Sequence, residues 1–186
     1  MYYIQGDTGL LFILSIDKSE NIKWYIDAAF VVHKGMRSHT GGFVYMGTGG
    51  AYVRSKKKLN TKSSTEAEFV TVVYVLTQLI WTQYFQKEQG CEIHDNVIYQ
   101  DNQRAIKLEN NGRLSRIKRT RHINIRYYFI TDKITKQEAS VKFCPTLDII
   151  GEYFMKALQG SQFHRFCSII IGIHKYYIPY YNSYQR

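Results

Sequence analysis

The sequence predicts one α/β layered domain, a mixed sheet with helices packed on it, and three observations carry that reading. Runs of β-branched and aromatic residues separated by glycines come first, and a long stretch of helical periodicity follows. After that, short apolar runs alternate with helical segments. The order is three strands, helix, strand, helices, strand, helix, which suits a sheet with helices laid on it. At 186 residues the chain is long enough for one domain with a substantial core.

Residues 22–32 are rich in β-branched and aromatic side chains and predict the first strand, with a polar connection over 33–39. Residues 41–46 and 51–54 predict the next two, joined by the turn Gly47-Thr48-Gly49-Gly50. Three consecutive short strands pair most simply as antiparallel neighbours. A helix begins near Ser64, where Thr65 and Glu68 have the spacing of a capping box. Phe69, Val72, Val73, Leu76, Ile80 and Tyr84 recur every three or four residues and predict one buried face, with Gly90 as the stop. Residues 96–99 predict a short apolar strand ending in Gln100-Asp101-Asn102, and 103–108 turn helical. Residues 120–133 predict a helix with Ile123, Tyr127 and Ile130 along one side. Residues 139–143 alternate as a strand, Pro145 ends it, and Thr146 is placed to cap a last helix through Leu158. The domain is expected over 1–172. The tyrosine-rich tail, 173–186, has no period and predicts no element.

Composition narrows the class. The chain is 45% hydrophobic and 22% charged, the profile of a globular protein. It has no apolar run of bilayer-spanning length and no signal-peptide pattern, so an intracellular protein with no membrane partner is expected. Cys91, Cys144 and Cys167 are far apart and lack the spacing of a zinc site, which reads as free buried thiols. The net charge of +10 favours a polyanionic partner. That charge is concentrated: residues 54–62 hold five basic residues and no acid, and 104–126 hold eight against Glu109. Either run alone is ordinarily a solvated face. Two runs flanking carboxylates of metal-ligand type point to nucleic acid.

Four carboxylates stand out. Asp27 interrupts the apolar stretch Trp24-Tyr25-Ile26, and Asp101 ends a second strand. Glu68 closes Ser63-Ser64-Thr65-Glu66-Ala67-Glu68 at a helix opening, beside Lys56, Lys57, Lys58 and Lys62. Glu152 lies one turn into the expected last helix. Each has an ordinary alternative: an exposed strand position, an Asx turn, a cap, or a charge favourable to the helix dipole. Taken together, two strand-end aspartates and acids from two helices can meet at one sheet edge. Hard divalent cations take such oxygen ligands, and a pair of ions about 4 Å apart can drive phosphodiester hydrolysis.

These residues fall in stretches that resemble a known family. Tyr25-Ile26-Asp27-Ala28-Ala29-Phe30, Met36-Arg37-Ser38-His39-Thr40-Gly41-Gly42, residues 59–68 and 99–103, Arg119-Thr120-Arg121-His122-Ile123-Asn124-Ile125-Arg126-Tyr127 and Cys144-Pro145-Thr146 occur in family order. The chain is similar to the ribonuclease H domain at the C-terminal end of the Pol polyprotein of copia-type LTR retrotransposons, over residues 3–172. The resemblance implies the ribonuclease H-like fold, an α/β five-stranded mixed sheet with helices packed on it. It implies a C-terminal fragment without the reverse transcriptase region, acting in the cytoplasm, in a retrotransposon particle, or in the nucleus. The implied partner is an RNA–DNA hybrid, whose RNA strand is hydrolysed with two Mg2+ ions or with Mn2+ in their place, selectivity coming from 2′-hydroxyls. Asp27, Glu68 and Asp101 take the catalytic and metal-ligand positions, with Glu66 the alternative to Glu68. The fourth carboxylate falls on Glu152, in Gly151-Glu152-Tyr153-Phe154-Met155-Lys156-Ala157-Leu158, where family members usually read aspartate, then Thr-Lys-Pro-Leu. Hybrid contacts are expected from Lys56, Lys57, Lys58, Lys62, Asn102, Gln103, Arg119, Arg121, His122 and Arg126. The second reading is a weakened or inactive remnant that only binds nucleic acid.

Overall fold

Alternation along residues 21–33 builds the centre of the protein. In the computed structural model, which describes residues 11–16, 21–33, 35–57, 61–91, 93–111 and 121–173, the short strand β1 (Ser15–Ile16) precedes the long β2 (Asn21–His33). Ile22, Trp24 and Ile26 of β2 are fully buried on one face, while Lys23 and Tyr25 on the other are half-buried. β3 (Arg37–Tyr45), β4 (Gly47–Thr48) and β5 (Gly50–Lys57) follow. The helix α1 (Ser64–Glu88) then leads to β6 (Asp95–Gln100), α2 (Gln103–Asn111), α3 (Arg121–Thr135), β7 (Ser140–Phe143) and α4 (Gly160–Ile171).

The main sheet has five strands in the order β5-β3-β2-β6-β7. β2, β3 and β5 are antiparallel, as three consecutive short strands predict, and β6 and β7 run parallel to β2. The sheet is therefore mixed and the architecture α/β. β1 and β4 pair separately as a two-residue ribbon that no sequence period announces.

Each face of the sheet is covered. α1 packs Phe69, Val72, Val75, Leu76 and Leu79 onto Ile22, Trp24 and Ile26, and α3 adds Tyr127 and Ile130 to that core. Phe43 points the opposite way from Val44 and joins Ile150 and Phe166 in a smaller cluster on the other face. Tyr84, expected on the buried face of α1, is exposed, while Gln83 and Gln86 beside it are half-buried. Among the described residues all three cysteines are free, but only Cys144 is buried; Cys167 is half-buried and Cys91 exposed.

The expected helix from Thr146 through Leu158 is not there. Two 3-10 turns occupy the region, Thr146–Asp148 and Ile150–Phe154, and the true helix α4 begins at Gly160. Close packing explains the change. A Cβ on Gly151 would lie 2.9 Å from the amide nitrogen of Asp27, and one on Gly41 would lie 2.2 Å from the carbonyl oxygen of Gly151. Backbone rests directly on backbone here, which a side-chain-bearing α-helix could not do. Glu152 accordingly projects from a 3-10 turn laid over β2 and β3. The polar connection expected over 33–39 is also shorter, since β3 starts at Arg37.

Candidate metal centre

Parallel pairing of β2 with β6 sets the two aspartates side by side. Tyr25 is in register with Tyr99, and their rings stack at 5.0 Å between centroids. Two residues beyond that pair lie Asp27, still within β2, and Asp101, the residue that follows the end of β6. Asp27 is 6% exposed, and its Oδ1 accepts from the Ala28 amide at 2.8 Å. Asp101 is half-buried, and its Oδ2 accepts from the Thr146 hydroxyl at 2.8 Å. Thr146, expected to cap a helix, instead holds this aspartate. The helix-capping role beside it goes to Asn102, whose Oδ1 accepts from the amides of Arg104 and Ala105 at 3.2 and 3.1 Å.

Glu68 arrives from the first turn of α1. The cap of that helix is Ser63, whose hydroxyl accepts from the Glu66 amide at 3.1 Å. Glu66 Oε2 turns back to accept from the Lys62 amide at 2.7 Å. The capping box expected between Thr65 and Glu68 is thus shifted to Ser63 and Glu66. Glu66 is spent on the helix end, and Glu68 faces inward at 4% exposure. Its Oε1 accepts from the Ala28 amide at 3.2 Å, while its Oε2 is buried with no hydrogen-bond partner.

Asp27, Glu68 and Asp101 each offer an oxygen, and all three oxygens lie within 4.8 Å of one another. The set is all hard oxygen, the donor type that Mg2+ and Mn2+ take. Burial pushes Asp27 up to about 6, helped by Asp101 and Glu152 and opposed by Lys156. Burial, then the charges of Asp27 and Asp101, raise Glu68 well above the usual carboxylate range. Gathered, desolvated carboxylates with an unpartnered oxygen among them call for a cation, so the residues present fit a divalent ion.

Glu152 is beside this trio but not of it. It is 8% exposed, and both its oxygens are taken: Oε1 accepts from Lys156 Nζ at 2.7 Å and Oε2 from Gln162 Nε2 at 3.0 Å. Lys156 Nζ also stands 3.8 Å from Asp27 Oδ2. Neither Lys156 nor Gln162 is singled out by the sequence reading. Lys156 was within reach of it as the i+4 partner of Glu152, but Gln162 has no local signal.

The residues expected to contact nucleic acid fall on several elements. Lys56 on β5, Lys62 before α1 and Gln103 at the start of α2 are exposed, and Arg126 on α3 is half-buried. Lys58 and Arg119 lie outside the described residues, as do the side chains of Lys57, Arg121 and His122. No described helix is long and apolar enough to cross a membrane.

No protein-family model matches this chain. It is 29% identical over 175 residues to the retrovirus-related Pol polyprotein from transposon TNT 1-94 of Nicotiana tabacum, covering 92% of this chain and 13% of that protein. It is 29% identical over 171 residues to the corresponding polyprotein from transposon RE1 of Arabidopsis thaliana, covering 90% of this chain and 12% of the relative. The chain therefore spans only about an eighth of these relatives' length. Among solved structures, LC11-RNase H1 in complex with an RNA/DNA hybrid superposes with a TM-score of 0.50 at 14% identity, over 69% of this chain and 88% of the other. The prototype foamy virus protease-reverse transcriptase gives 0.51 at 10% identity, over 84% of this chain and 21% of that one. At such identities the likeness is one of fold.

Proposed function

We propose a magnesium-dependent ribonuclease H-type activity, proceeding from what this chain is: a homologue of the retrovirus-related Pol polyproteins of plant transposons, with the ribonuclease H fold. The substrate is the RNA strand of an RNA–DNA hybrid. The observation that carries the reading is the convergence of Asp27, Glu68 and Asp101 within 4.8 Å, with Glu68 Oε2 buried and unpartnered. Those three carboxylates would hold Mg2+, which when bound supplies Lewis-acid activation of water and stabilisation of the leaving oxygen. The Ala28 amide fixes Asp27 and Glu68, and Thr146 fixes Asp101, so the ligand oxygens are set before the ion arrives. Lys56, Lys62, Gln103 and Arg126 carry donors that can meet the phosphate backbone. The test is a labelled hybrid with Mg2+. Cleavage of the RNA strand, lost on chelation and in Asp101→Asn, is expected; no cleavage at micromolar folded protein would remove the reading.

One observation favours a second reading, a remnant that binds hybrid without cutting it. Glu152 stands where the resemblance expects aspartate, and Lys156 and Gln162 occupy both its oxygens. A misplacement of about 1 Å can cost on the order of a hundredfold in rate. This reading predicts salt-dependent hybrid binding, no turnover and indifference to Asp27→Asn. Glu152→Asp raising a weak cleavage rate would decide for the enzyme.

A further inference from the structure

Lys156 is the one cation among the described residues that reaches into the carboxylate centre. Its Nζ lies 2.7 Å from Glu152 Oε1 and 3.8 Å from Asp27 Oδ2, so a positive charge bridges the fourth carboxylate and the first aspartate. The backbone prepares this placement, because the amide of Lys156 donates to the carbonyl of Glu152 at 3.0 Å and closes one turn between them. Gln162 holds the other oxygen of Glu152, so that carboxylate cannot turn to a metal ion without surrendering a partner.

We propose that Lys156 is an internal cation standing in for a second divalent ion, so that the centre loads one ion on Asp27, Glu68 and Asp101 and admits another only when Lys156 withdraws. This rests on the metal-binding part of the function proposed above. An ammonium between Asp27 and Glu152 repels an incoming cation and offsets one of the two negative charges that would bind it. Withdrawal is open to it, since the Lys156 side chain is 48% exposed while those of Glu152 and Asp27 are 10% and 8% exposed. The lysine thus sets how many ions the site holds at a given concentration, and makes the second ion the weaker one.

The experiment is a Mn2+ titration of the full chain, followed by electron paramagnetic resonance of free Mn2+ and by calorimetry, with no nucleic acid present. Wild type is expected to bind one ion tightly. Lys156→Gln and Lys156→Met are expected to bind a second at least tenfold more tightly than wild type does, while Lys156→Arg keeps the one-ion pattern. Unfolding curves confirm that each variant is folded. Wild type taking two equivalent ions, or the neutral variants matching wild type in number and affinity, overturns the proposal. Asp101→Asn separates the underlying reading: if it leaves the tight ion in place, the centre is not the metal site at all. If it removes that ion while the Lys156 variants change nothing, only the role of Lys156 fails.

Discussion

Asp27 and Glu68, on a strand and a helix far apart in the chain, lean on a single backbone donor: the Ala28 amide lies 2.8 Å from Asp27 Oδ1 and 3.2 Å from Glu68 Oε1. One N–H cannot fully compensate two buried carboxylates. The shortfall appears as raised proton affinity in both and as the unpartnered Oε2 of Glu68. A centre of this kind stores instability in the metal-free protein and releases it when a cation binds.

That shortfall has a pH signature. Asp27 rises from 3.8 unfolded to about 6 folded, so between those values the folded state holds the extra proton. Stability of the metal-free protein therefore falls as pH rises from about 4 through about 6, and Glu68 adds to the loss in the same direction. Asp27→Asn and Glu68→Gln should each raise the Tm of metal-free protein at pH 7.5, and each should abolish the Tm gain that wild type shows with Mn2+. Cation affinity should climb over the same pH range as protons leave the ligands. Scanning calorimetry with and without Mn2+ measures both.

The choice between Glu66 and Glu68 gives a second outcome. Glu66 is used at the helix end, with its own amide on Ser63 and its carboxylate on the Lys62 amide. Glu66→Gln should keep Mn2+ binding and cost little. Ser63→Ala should cost about 1 kcal/mol by removing the cap, with metal affinity little changed. Glu68→Gln alone should remove the tight ion. Chemical denaturation paired with metal titration separates the three.

Asp27, Asp101 and Glu68 stand out only weakly one by one, as a charge in an apolar strand, a strand end and a helix opening; the family resemblance is what sets them at one centre, together with Glu152. The five strands are legible because runs of β-branched and aromatic residues are broken by glycine and polar positions, and α1 because Phe69, Val72 and Leu76 recur at helical spacing. The cap was misread because Ser63, Ser64 and Thr65 are all competent caps, and only packing chooses the register. The segment carrying Glu152 was misread for a different reason. Its conformation is dictated by backbone contact with β2 and β3 through Gly41 and Gly151, and nothing in local periodicity reports a contact so distant in sequence. Lys156 and Gln162 meet at Glu152 only because of that turn and the start of α4.

Those glycines make a third test. A Cβ on Gly41 would meet the Gly151 carbonyl oxygen at 2.2 Å, and a Cβ on Gly151 would meet Asp27 and Ile26 backbone atoms at 2.9 Å. Backbone cannot yield as a side-chain tip can, so the turn must lift. Gly41→Ala and Gly151→Ala should each destabilise by about 1–3 kcal/mol. Each should also loosen the Glu152–Lys156 clasp, read as a lower Nζ proton affinity by NMR, whereas Gly42→Ala, whose Cβ would meet only side-chain atoms of Arg54 and Val75 at 3.7 and 3.9 Å, leaves the clasp in place.

Beneath the centre, Gln100 and Glu109 form a sealed pair, each 0% exposed, with Gln100 Nε2 donating to Glu109 Oε2 at 2.5 Å. Oε1 of each is left without a partner. Burial pushes Glu109 up from 4.5 to about 8, against the opposing Gln100 bond. The folded protein thus keeps a proton on Glu109 that the unfolded chain gives up, and this group erodes stability as pH rises from about 5 to about 8. Glu109→Gln cannot titrate, and its new amide can donate to Gln100 Oε1. It should gain stability relative to wild type at pH 8 and little at pH 4.5, with the difference between the two proteins opening through that window. Gln100→Leu leaves the buried acid without its donor and should cost about 1–3 kcal/mol at neutral pH. Urea midpoints taken every half unit from pH 4.5 to 8.5 give the curve, and a wild-type profile parallel to that of Glu109→Gln would show that Glu109 titrates as an ordinary carboxylate.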